Sequence, residues 1–262
     1  MSVVAAFRNT LLLGATFVCA TAAAADPTPI DHIVVTATRS QRPGSDNPAA
    51  VSELGRDAIV DGRATVGLDE SLNRVPGVLV QNSGNYAQDF RIQVRGFGTR
   101  AAFGVREVKV LVDGIPATLP DGQTQLDAID PGAVGRIEVL RRSAGALYGN
   151  ASGGVIQLFT RDGPDTPWAE VRSLAGRFGL QTHQLQQGGR SGAWEWLAHV
   201  SRFTTDGHRD HSAARSTLGR LRLQREIGQR TRVTLHVDAV DAPLAEDPGG
   251  LTRSEADADR GA

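Results

Sequence analysis

Cysteine is almost missing from this chain of 262 residues, which contains only Cys19. A single cysteine excludes an intrachain disulfide and a four-cysteine zinc site. Aromatic residues make up 5% of the chain, and the formal net charge is −1. Because general nucleic-acid binding rests on clustered positive charge, we expect no nucleic-acid partner. The 30 glycines indicate many turns and argue against a helical bundle.

Only one apolar stretch is long enough to suggest a membrane segment, and it lies at the N-terminus. Arg8 precedes the apolar run Thr10–Ala20, and small residues follow as far as Ala25. A charged start, a short apolar core and an Ala-x-Ala end are typical of a secretory signal peptide, and the core is too short to span a membrane as a helix. We expect residues 1–25 to be cleaved during export, which removes Cys19. An uncleaved anchor is the alternative.

The rest of the chain divides into three segments. Residues 26–50 are rich in Pro, Thr, Ser and Asp and are expected to form a flexible arm. Residues 51–163 are turn-rich, with few helices and many strands, which predicts an α+β domain with a mixed sheet. Strands are predicted there at Val78–Gln81, Arg91–Arg95, Val108–Val112, Arg136–Leu140 and Val155–Thr160.

A short amphipathic helix is predicted at the start of this domain. Leu68, Leu72 and Val75 are spaced i, i+4 and i+7, which places them on one face of a helix over Thr65–Val75. Thr65 is the expected N-cap, and the following Pro76-Gly77 is expected to end the helix.

The third segment, residues 164–262, alternates apolar and polar side chains. Period two with charges on one face is typical of a sheet with one apolar side and one wet side. Such segments separated by turn residues occur in ordinary solvated antiparallel sheets and in transmembrane β-barrels, and the pattern alone leaves both open. Strands are predicted near Pro167–Gly176, Leu180–Gly189, Trp194–Phe203, Thr217–Glu226 and Thr231–Val240.

The sequence contains no motif that indicates an enzyme or a cofactor site. Gly96–Ala101 matches a dinucleotide fingerprint, but no helix follows to hold a phosphate, so no cofactor is expected. His208 and His211 lie in a polar loop whose spacing is not a strong ligand pattern, and we expect no metal site. We also find no catalytic constellation and expect no enzyme.

Six motifs in chain order resemble the TonB-dependent outer-membrane receptors, especially the ferric-siderophore type. The first, Asp31–Arg39 (DHIVVTATR), resembles the TonB box. The others match successive parts of the plug domain, and they are Leu72–Val78, Arg91–Gly98, Val110–Pro116 with Pro120–Gly122, Arg136–Arg141 with Ala146–Gly149, and Gly153–Ile156. One departure is clear: Arg142 and Ser143 stand where the family usually has Gly and then a small residue or Pro, which predicts a strained turn.

The resemblance implies a fold and a mechanism. It implies an α+β plug with a mixed sheet, followed by antiparallel strands of a transmembrane β-barrel that is truncated in this chain. A complete barrel of the family has about 22 strands and holds the plug in its lumen. TonB, energised with the inner-membrane ExbB/ExbD complex, would pair with the box and move the plug. The resemblance also implies an outer-membrane location in contact with its lipid.

The resemblance also suggests site residues. The expected TonB-binding residues have high β-propensity and can add as an edge strand to a partner sheet; they are Asp31, His32, Ile33, Val34, Val35 and Thr36. A disordered secretion spacer is the alternative. Tyr86, Arg100 and Phe103 fall near the plug apices and are of types that could hold an anionic iron-siderophore complex, or they could simply pack in loops. Arg95, Glu138 and Arg141 are charged residues of plug strands and could lock the plug to itself or to the barrel.

Length leaves the biological form open. About 100 residues follow Gly163, enough for about five barrel strands at roughly 20 residues per strand and connection. Five strands leave two open edges, which lipid does not tolerate. Three interpretations remain: an N-terminal fragment of a full receptor, which we favour, a stand-alone periplasmic plug-like module that binds TonB or a ligand without transport, and an unrelated secreted all-β protein.

Overall fold

The structure is a computed structural model that describes most of the chain after the arm. The described residues are 50–81, 84–99, 104–119, 121–124, 126, 128–228 and 230–261, together with the backbone of 34–35 and 42–43. The predicted signal peptide lies outside them. In the described part of the chain, no helix is both long and apolar enough to cross a membrane.

The first half of the described chain forms a mixed sheet, as predicted. Its strands pair in the order β3-β8-β9-β6-β7, and only β6 and β9 run parallel. Two further pairs, β1-β2 and β4-β5, are antiparallel. The strands are β1 (Val34–Val35), β2 (Arg42–Pro43), β3 (Val51–Gly55), β4 (Val78–Gln81), β5 (Arg91–Val94), β6 (Val108–Val112), β7 (Ile115–Pro116), β8 (Val134–Leu140) and β9 (Gly154–Thr160). The five predicted strands are all present.

The described residues also contain four short α-helices. They are α1 (Arg56–Val60), α2 (Asp69–Leu72), α3 (Gly145–Tyr148) and α4 (Arg253–Ala258). The core lies between α1, α2 and the sheet, where Ile59, Leu72, Ile137 and Leu158 are at most 1% exposed. Burial of such side chains contributes roughly 1.5–3 kcal/mol each, so this apolar core is the main source of the domain's stability.

The predicted helix over Thr65–Val75 is mostly wrong. Only α2 is helical, and Thr65 is no N-cap because it is buried with a positive φ of 55°. Glu70 determines the local structure instead. Its carboxylate accepts hydrogen bonds from the backbone N–H groups of residues 64–67, at 2.7 to 3.2 Å. These four bonds hold a loop where the pattern predicted a helical turn, and Gly77, with φ 78°, ends the segment as expected.

The strain predicted at Arg142 is also wrong. Arg142 is exposed and is not among the residues with positive φ, so the turn needs no glycine there. The close backbone approach lies further on, at Gly154. A Cβ on Gly154 would lie 2.3 Å from the carbonyl oxygen of Leu140, and its φ is 144°. This position, at the start of β9, therefore requires glycine.

The second half of the described chain forms a five-stranded antiparallel sheet, which we call the wall sheet. Each strand pairs with the next in the chain, in the order β10-β11-β12-β13-β14. The strands are β10 (Trp168–Ala175), β11 (Gln181–Ser191), β12 (Trp194–Thr205), β13 (Ala214–Ile227) and β14 (Thr231–Ala245). All five predicted strands are confirmed, although β13 and β14 are longer than expected.

The two faces of the wall sheet are the reverse of those in a water-soluble sheet. The inward face packs on the domain of residues 51–163, which we call the plug. This face buries polar side chains such as Gln184, His199 and Arg222. The outward face exposes large apolar side chains; these include Val171 at 73%, Val200 at 51% and Leu235 at 52%. A solvated sheet buries its apolar side, so this arrangement excludes that alternative and indicates a wall that faces lipid.

Candidate functional site

The candidate site is the interface between the plug and the inward face of the wall sheet. The two ends of the wall sheet differ. Two-residue to three-residue turns join β11 to β12 and β13 to β14, whereas residues 206–213 join β12 to β13 and residues 246–252 follow β14. We call the end with residues 206–213 the long-loop end.

A buried carboxylate, Asp130, ties the plug to strand β12. Its Oδ2 lies 2.9 Å from Nε2 of His199, and both residues are more than 90% buried. Its Oδ1 accepts from the backbone N–H of Gly132 at 2.7 Å, which fixes the turn that follows. Gln184 of β11 donates to the Thr65 hydroxyl at 2.9 Å and reaches Asp130 at 3.5 Å. Asp130 is thus bonded to both halves of the molecule.

The environment of Asp130 favours its ionised form. Burial by itself raises the pKa of the carboxyl, but the hydrogen bond and charge of His199 outweigh it, with help from Ser201 and the Gly132 N–H. The resulting pKa lies below the ordinary value for aspartate. The Asp130 carboxylate therefore stays ionised in the interface at neutral pH.

A second contact is built around Arg56, the first residue after β3. Its Nη1 donates to the carbonyl oxygens of Gly132 and Val134 at 3.0 and 3.1 Å. Its Nη2 lies 3.1 Å from Glu170 of β10, whose other oxygen accepts from Arg161 at 2.7 Å. Burial lowers the pKa of Arg56, and Glu170 offsets part of that shift, so the guanidinium remains charged. One carboxylate of the wall thus holds two plug arginines.

A third contact joins β12 and β13 to the end of the plug. Glu195 accepts from Arg222 at 2.7 Å and from the backbone N–H of Gly163 at 3.1 Å. Its other oxygen accepts from Arg190 at 2.6 Å. Arg222 also donates to the Arg161 carbonyl oxygen at 3.1 Å. Together with the Asp130 and Arg56 contacts, this makes the plug–wall interface polar and charged over much of its length.

A cavity of about 130 Å³ opens between the plug and the wall near the long-loop end. Tyr86 and Phe203 meet there, with ring centroids 4.9 Å apart, and Phe90, Leu218 and Val240 add apolar surface. Burial raises the pKa of Tyr86, so its hydroxyl is neutral. The polar side of the lining comprises Thr65, Asp130, Gln184 and Ser201.

Of the three predicted substrate-binding residues, Tyr86 is the one the structure describes. It lines the cavity at the tip of the plug loop 84–90, whose Asn85 and Gln88 both donate to Asp247 at 2.7 and 2.9 Å. Arg100 and Phe103 lie outside the described residues. Their role beside Tyr86 stays a prediction.

The predicted lock residues make their described contacts inside the plug. Glu138 is fully buried and pairs with Arg136 of the same strand at 2.8 Å. Arg141 donates to the Pro76 carbonyl oxygen at 2.7 Å, and Arg95 is exposed, with its backbone N–H bonded to Gly77. The described contacts from plug to wall run through other residues, and a locking role for Arg95, Glu138 and Arg141 stays a prediction.

Only part of the predicted TonB box is described. Val34 and Val35 form β1, which pairs antiparallel with Arg42 and Pro43. Asp31, His32, Ile33 and Thr36 lie outside the described residues. The extended backbone of β1 is the conformation that the edge-strand hypothesis requires.

No sequence motif points to the buried pair formed by Asp130 and His199. Asp130 and His199 are separated by 69 residues and belong to no motif, so only packing brings them together. In the described residues, no group of three or more His, Cys, Asp or Glu side chains is arranged to hold a metal ion. A polar residue in an alternating strand, such as His199, is the sequence feature that indicates an inward face lined by water or by hydrogen-bond partners.

Comparison with known proteins relates part of the chain to a known family. Residues 43–155 match the family model "TonB-dependent Receptor Plug Domain". The chain is 32% identical over 147 residues to the vitamin B12 transporter BtuB of Vibrio vulnificus (strain CMCP6), covering 56% of this chain and 23% of that protein. It is 35% identical over 137 residues to the hemin receptor of Yersinia enterocolitica, covering 52% and 19%.

Solved structures show the same fold. The ferric yersiniabactin uptake receptor FyuA of Yersinia pestis superposes with a TM-score of 0.62 at 21% identity, over 75% of this chain and 32% of that one. The pyoverdine outer membrane receptor FpvA of Pseudomonas aeruginosa PAO1 gives 0.65 at 20% identity, over 79% and 29%. Both likenesses include a plug and barrel strands.

The fold and the interface therefore define a plug domain followed by strands of a barrel wall. The match of residues 43–155 to the plug-domain model confirms the resemblance to TonB-dependent receptors over that part of the chain. It spans 19% to 25% of the length of the curated relatives it matches. Those relatives are named as transporters and receptors, which fits a chain that is not an enzyme.

Proposed function

We propose that this chain is the plug and first barrel strands of a TonB-dependent transport receptor of the outer membrane, exported by a cleaved signal peptide. A longer protein closes the barrel around the plug. The observation that carries the proposal is the polar interface between plug and wall, formed by the Asp130, Arg56 and Glu195 contacts.

A polar interface suits a plug that has to move. Separating an apolar interface costs about 25 cal/mol of free energy for each Å² of apolar surface that becomes exposed to water. When hydrogen-bonded groups separate into a water-filled lumen, water replaces their partners, and each net loss is only about 0.5–1.5 kcal/mol. The contacts therefore hold the plug at rest and yield to work supplied by a partner.

TonB is the proposed partner, energised by ExbB/ExbD and bound through Asp31–Thr36. The strand pairing of Val34 and Val35 supports an edge-strand mode of binding. Val34→Pro removes a backbone donor and fixes φ, so we expect loss of energised uptake with substrate binding unchanged. Ala49→Pro, in the same arm but outside the box, is the matched control. Normal uptake by Val34→Pro would refute the box assignment.

A ferric siderophore is the proposed cargo, because Tyr86 and the predicted Arg100 and Phe103 suit an anionic iron chelate. A second candidate, cobalamin or haem, rests on the names of the curated relatives. Binding titrations with ferric siderophores, vitamin B12 and haemin distinguish them. We expect Tyr86→Ala to weaken binding of the true cargo about tenfold, a loss of about 1.4 kcal/mol, and Tyr148→Ala to leave it unchanged. Equal affinity of Tyr86→Ala and the wild type would remove Tyr86 from the site.

A stand-alone periplasmic plug-like module remains the alternative function. It would bind TonB or a ligand without transport. The exposed apolar outward face of the wall sheet argues against it, because such a face has no partner in water.

A further inference from the structure

The cavity between the plug and the wall is too small for a whole ferric chelate. Its volume is about 130 Å³, whereas a site that encloses a drug-sized ligand occupies about 300–1,000 Å³. At about 30 Å³ for each water molecule, the cavity has room for about four waters or for one short arm of a larger ligand. The cavity therefore suits a side arm of a ligand that binds beside the plug loop 84–90.

The lining combines aliphatic and aromatic surface with hydrogen-bonding groups. Leu218 and Val240 supply aliphatic surface, and the rings of Tyr86 and Phe203 lie with their centroids 4.9 Å apart. The Ser201 side chain belongs to the same lining. Apolar surface covers an alkyl stem, as it covers the stems of lysine side chains, and ring faces attract a cation. The lining therefore fits an alkyl arm that ends in a positive charge.

Negative charge reaches the lining from two parts of the plug. The ionised carboxylate of Asp130 is one of the lining groups. Burial raises the pKa of Tyr86, and the charges of Asp69 and Glu70 raise it further, so their negative potential extends to the tyrosine ring. Because the cavity is partly closed to water, salt screens this potential less than it does at the surface.

The positive charges at the same level lie on the opposite face of the wall sheet. Arg202 and Arg215 border the cavity, but both are exposed. They alternate along β12 and β13 with the inward residues Ser201, Phe203 and Ala214, which are at most 8% exposed. Among the described lining residues, these two arginines are the only cationic ones. The inner side of the cavity thus favours a cation over an anion.

We propose that this cavity binds an alkylammonium arm of the transported iron chelate. The inference rests on the proposed transport of such a chelate, and it narrows the cargo to chelates that carry a protonated amine. The ammonium group lies against Tyr86 and Phe203 within the negative potential of Asp130, and the alkyl stem contacts Leu218 and Val240. An arm that ends in a carboxylate or a sulfonate is repelled.

The reaction of an introduced cysteine with charged reagents tests the site without knowledge of the cargo. Ser216 lies opposite Phe203 and lines the cavity, whereas Ser152 is an exposed residue of the plug. The variants Ser216→Cys and Ser152→Cys of the detergent-purified native protein are treated with aminoethyl methanethiosulfonate, a cation, and with sulfonatoethyl methanethiosulfonate, an anion. Modification is measured by mass on the peptide that contains the cysteine. Because both reagents react with the same thiolate, the ratio of their rates reports which charge the cavity favours.

We expect the ratio of the cationic to the anionic rate at Ser216→Cys to be at least about ten times the ratio at Ser152→Cys. Adding Asp130→Asn removes a charge from the lining and should lower the ratio toward that of the control. Any loosening of the plug by this variant changes both rates together and leaves their ratio. Equal ratios at the two positions, a faster anionic reaction in the cavity, or no reaction with either reagent would overturn the proposal.

Binding titrations with two ferric trihydroxamates separate this inference from the proposed function. Ferrioxamine B ends in a free pentylammonium group, and its N-acetylated form is neutral. We expect the ammonium form to bind at least about tenfold more tightly, and Phe203→Leu to reduce this preference because the aromatic face is lost. Phe178→Leu, an exposed aromatic outside the lining, is the matched control. Equal binding of the two forms would overturn the cationic arm and leave chelate transport intact. Binding of neither form would exclude this class of cargo, and the cysteine ratios alone would then decide whether the cavity favours a cation.

Discussion

The Asp130 side chain forms hydrogen bonds both within a turn of the plug and with the wall sheet. Its carboxylate organises Gly132 on one side and accepts from His199 on the other. Removing the hydrogen-bond partner of a buried polar group is costly, because the group that remains is left without that compensation. A single side chain therefore reports on the attachment of the plug.

Asp130→Asn tests this attachment through pH. The pKa of Asp130 is lowered in the folded protein, so its stabilising contribution is complete above the unfolded pKa of about 3.9 and is lost as pH falls through the folded value. We expect the variant to be about 1–3 kcal/mol less stable at pH 7 by urea unfolding in detergent, with the difference shrinking below about pH 4. Asp210→Asn, an exposed control, should behave like the wild type. A pH-independent difference would contradict an ionised Asp130.

The position of an individual site residue could be predicted only where the residue lies in or near a family motif. Tyr86 was placed near a plug apex from its position in the family pattern, and it lines the cavity. No sequence pattern includes Asp130, His199 or Arg56. Their contacts form only when segments far apart in the chain pack together. Thr65 was misjudged because the four bonds to Glu70 override the apolar spacing around it.

At the scale of elements, strands were more predictable than helices. Alternation is a local property, so β10 to β14 could be read directly from side-chain periodicity. Short helices such as α1 and α3 have four or five residues, too few for a helical period to show. Alternation alone does not predict that the wall sheet buries its polar face, because it does not say which face is buried. The packing of the plug against the polar face determines which side is buried.

The lipid-facing side of β12 gives a test at this scale. Ala198 lies near the middle of the outward face of β12, and Arg at the middle of a bilayer costs about 2–4 kcal/mol in a barrel wall. We expect Ala198→Arg to reduce folding into lipid vesicles strongly. Gln181→Arg, outward at the long-loop end of β11, should cost about 0–1 kcal/mol. The folding yields of the two variants are compared by heat-modifiable mobility in gel electrophoresis. Equal folding yields would refute a membrane-facing side of the wall sheet.

At the scale of the whole molecule, polar contacts join the plug to the wall sheet. In the described chain the wall sheet ends at β10 and β14, and β14 is exposed on both faces. An antiparallel wall in lipid needs its edges paired, and only closure satisfies every backbone group. We therefore propose that further strands of a longer protein complete the barrel, consistent with the short span of this chain along its relatives.

The size of the native protein tests that claim most directly. Intact mass is measured on purified outer membranes after detergent extraction, with peptides of residues 51–163 used to identify the species. The account predicts a membrane-bound species more than about twice the 27.7 kDa of this chain, large enough for a closed barrel. A soluble periplasmic species slightly below 27.7 kDa would contradict transport and leave TonB binding as the function to test.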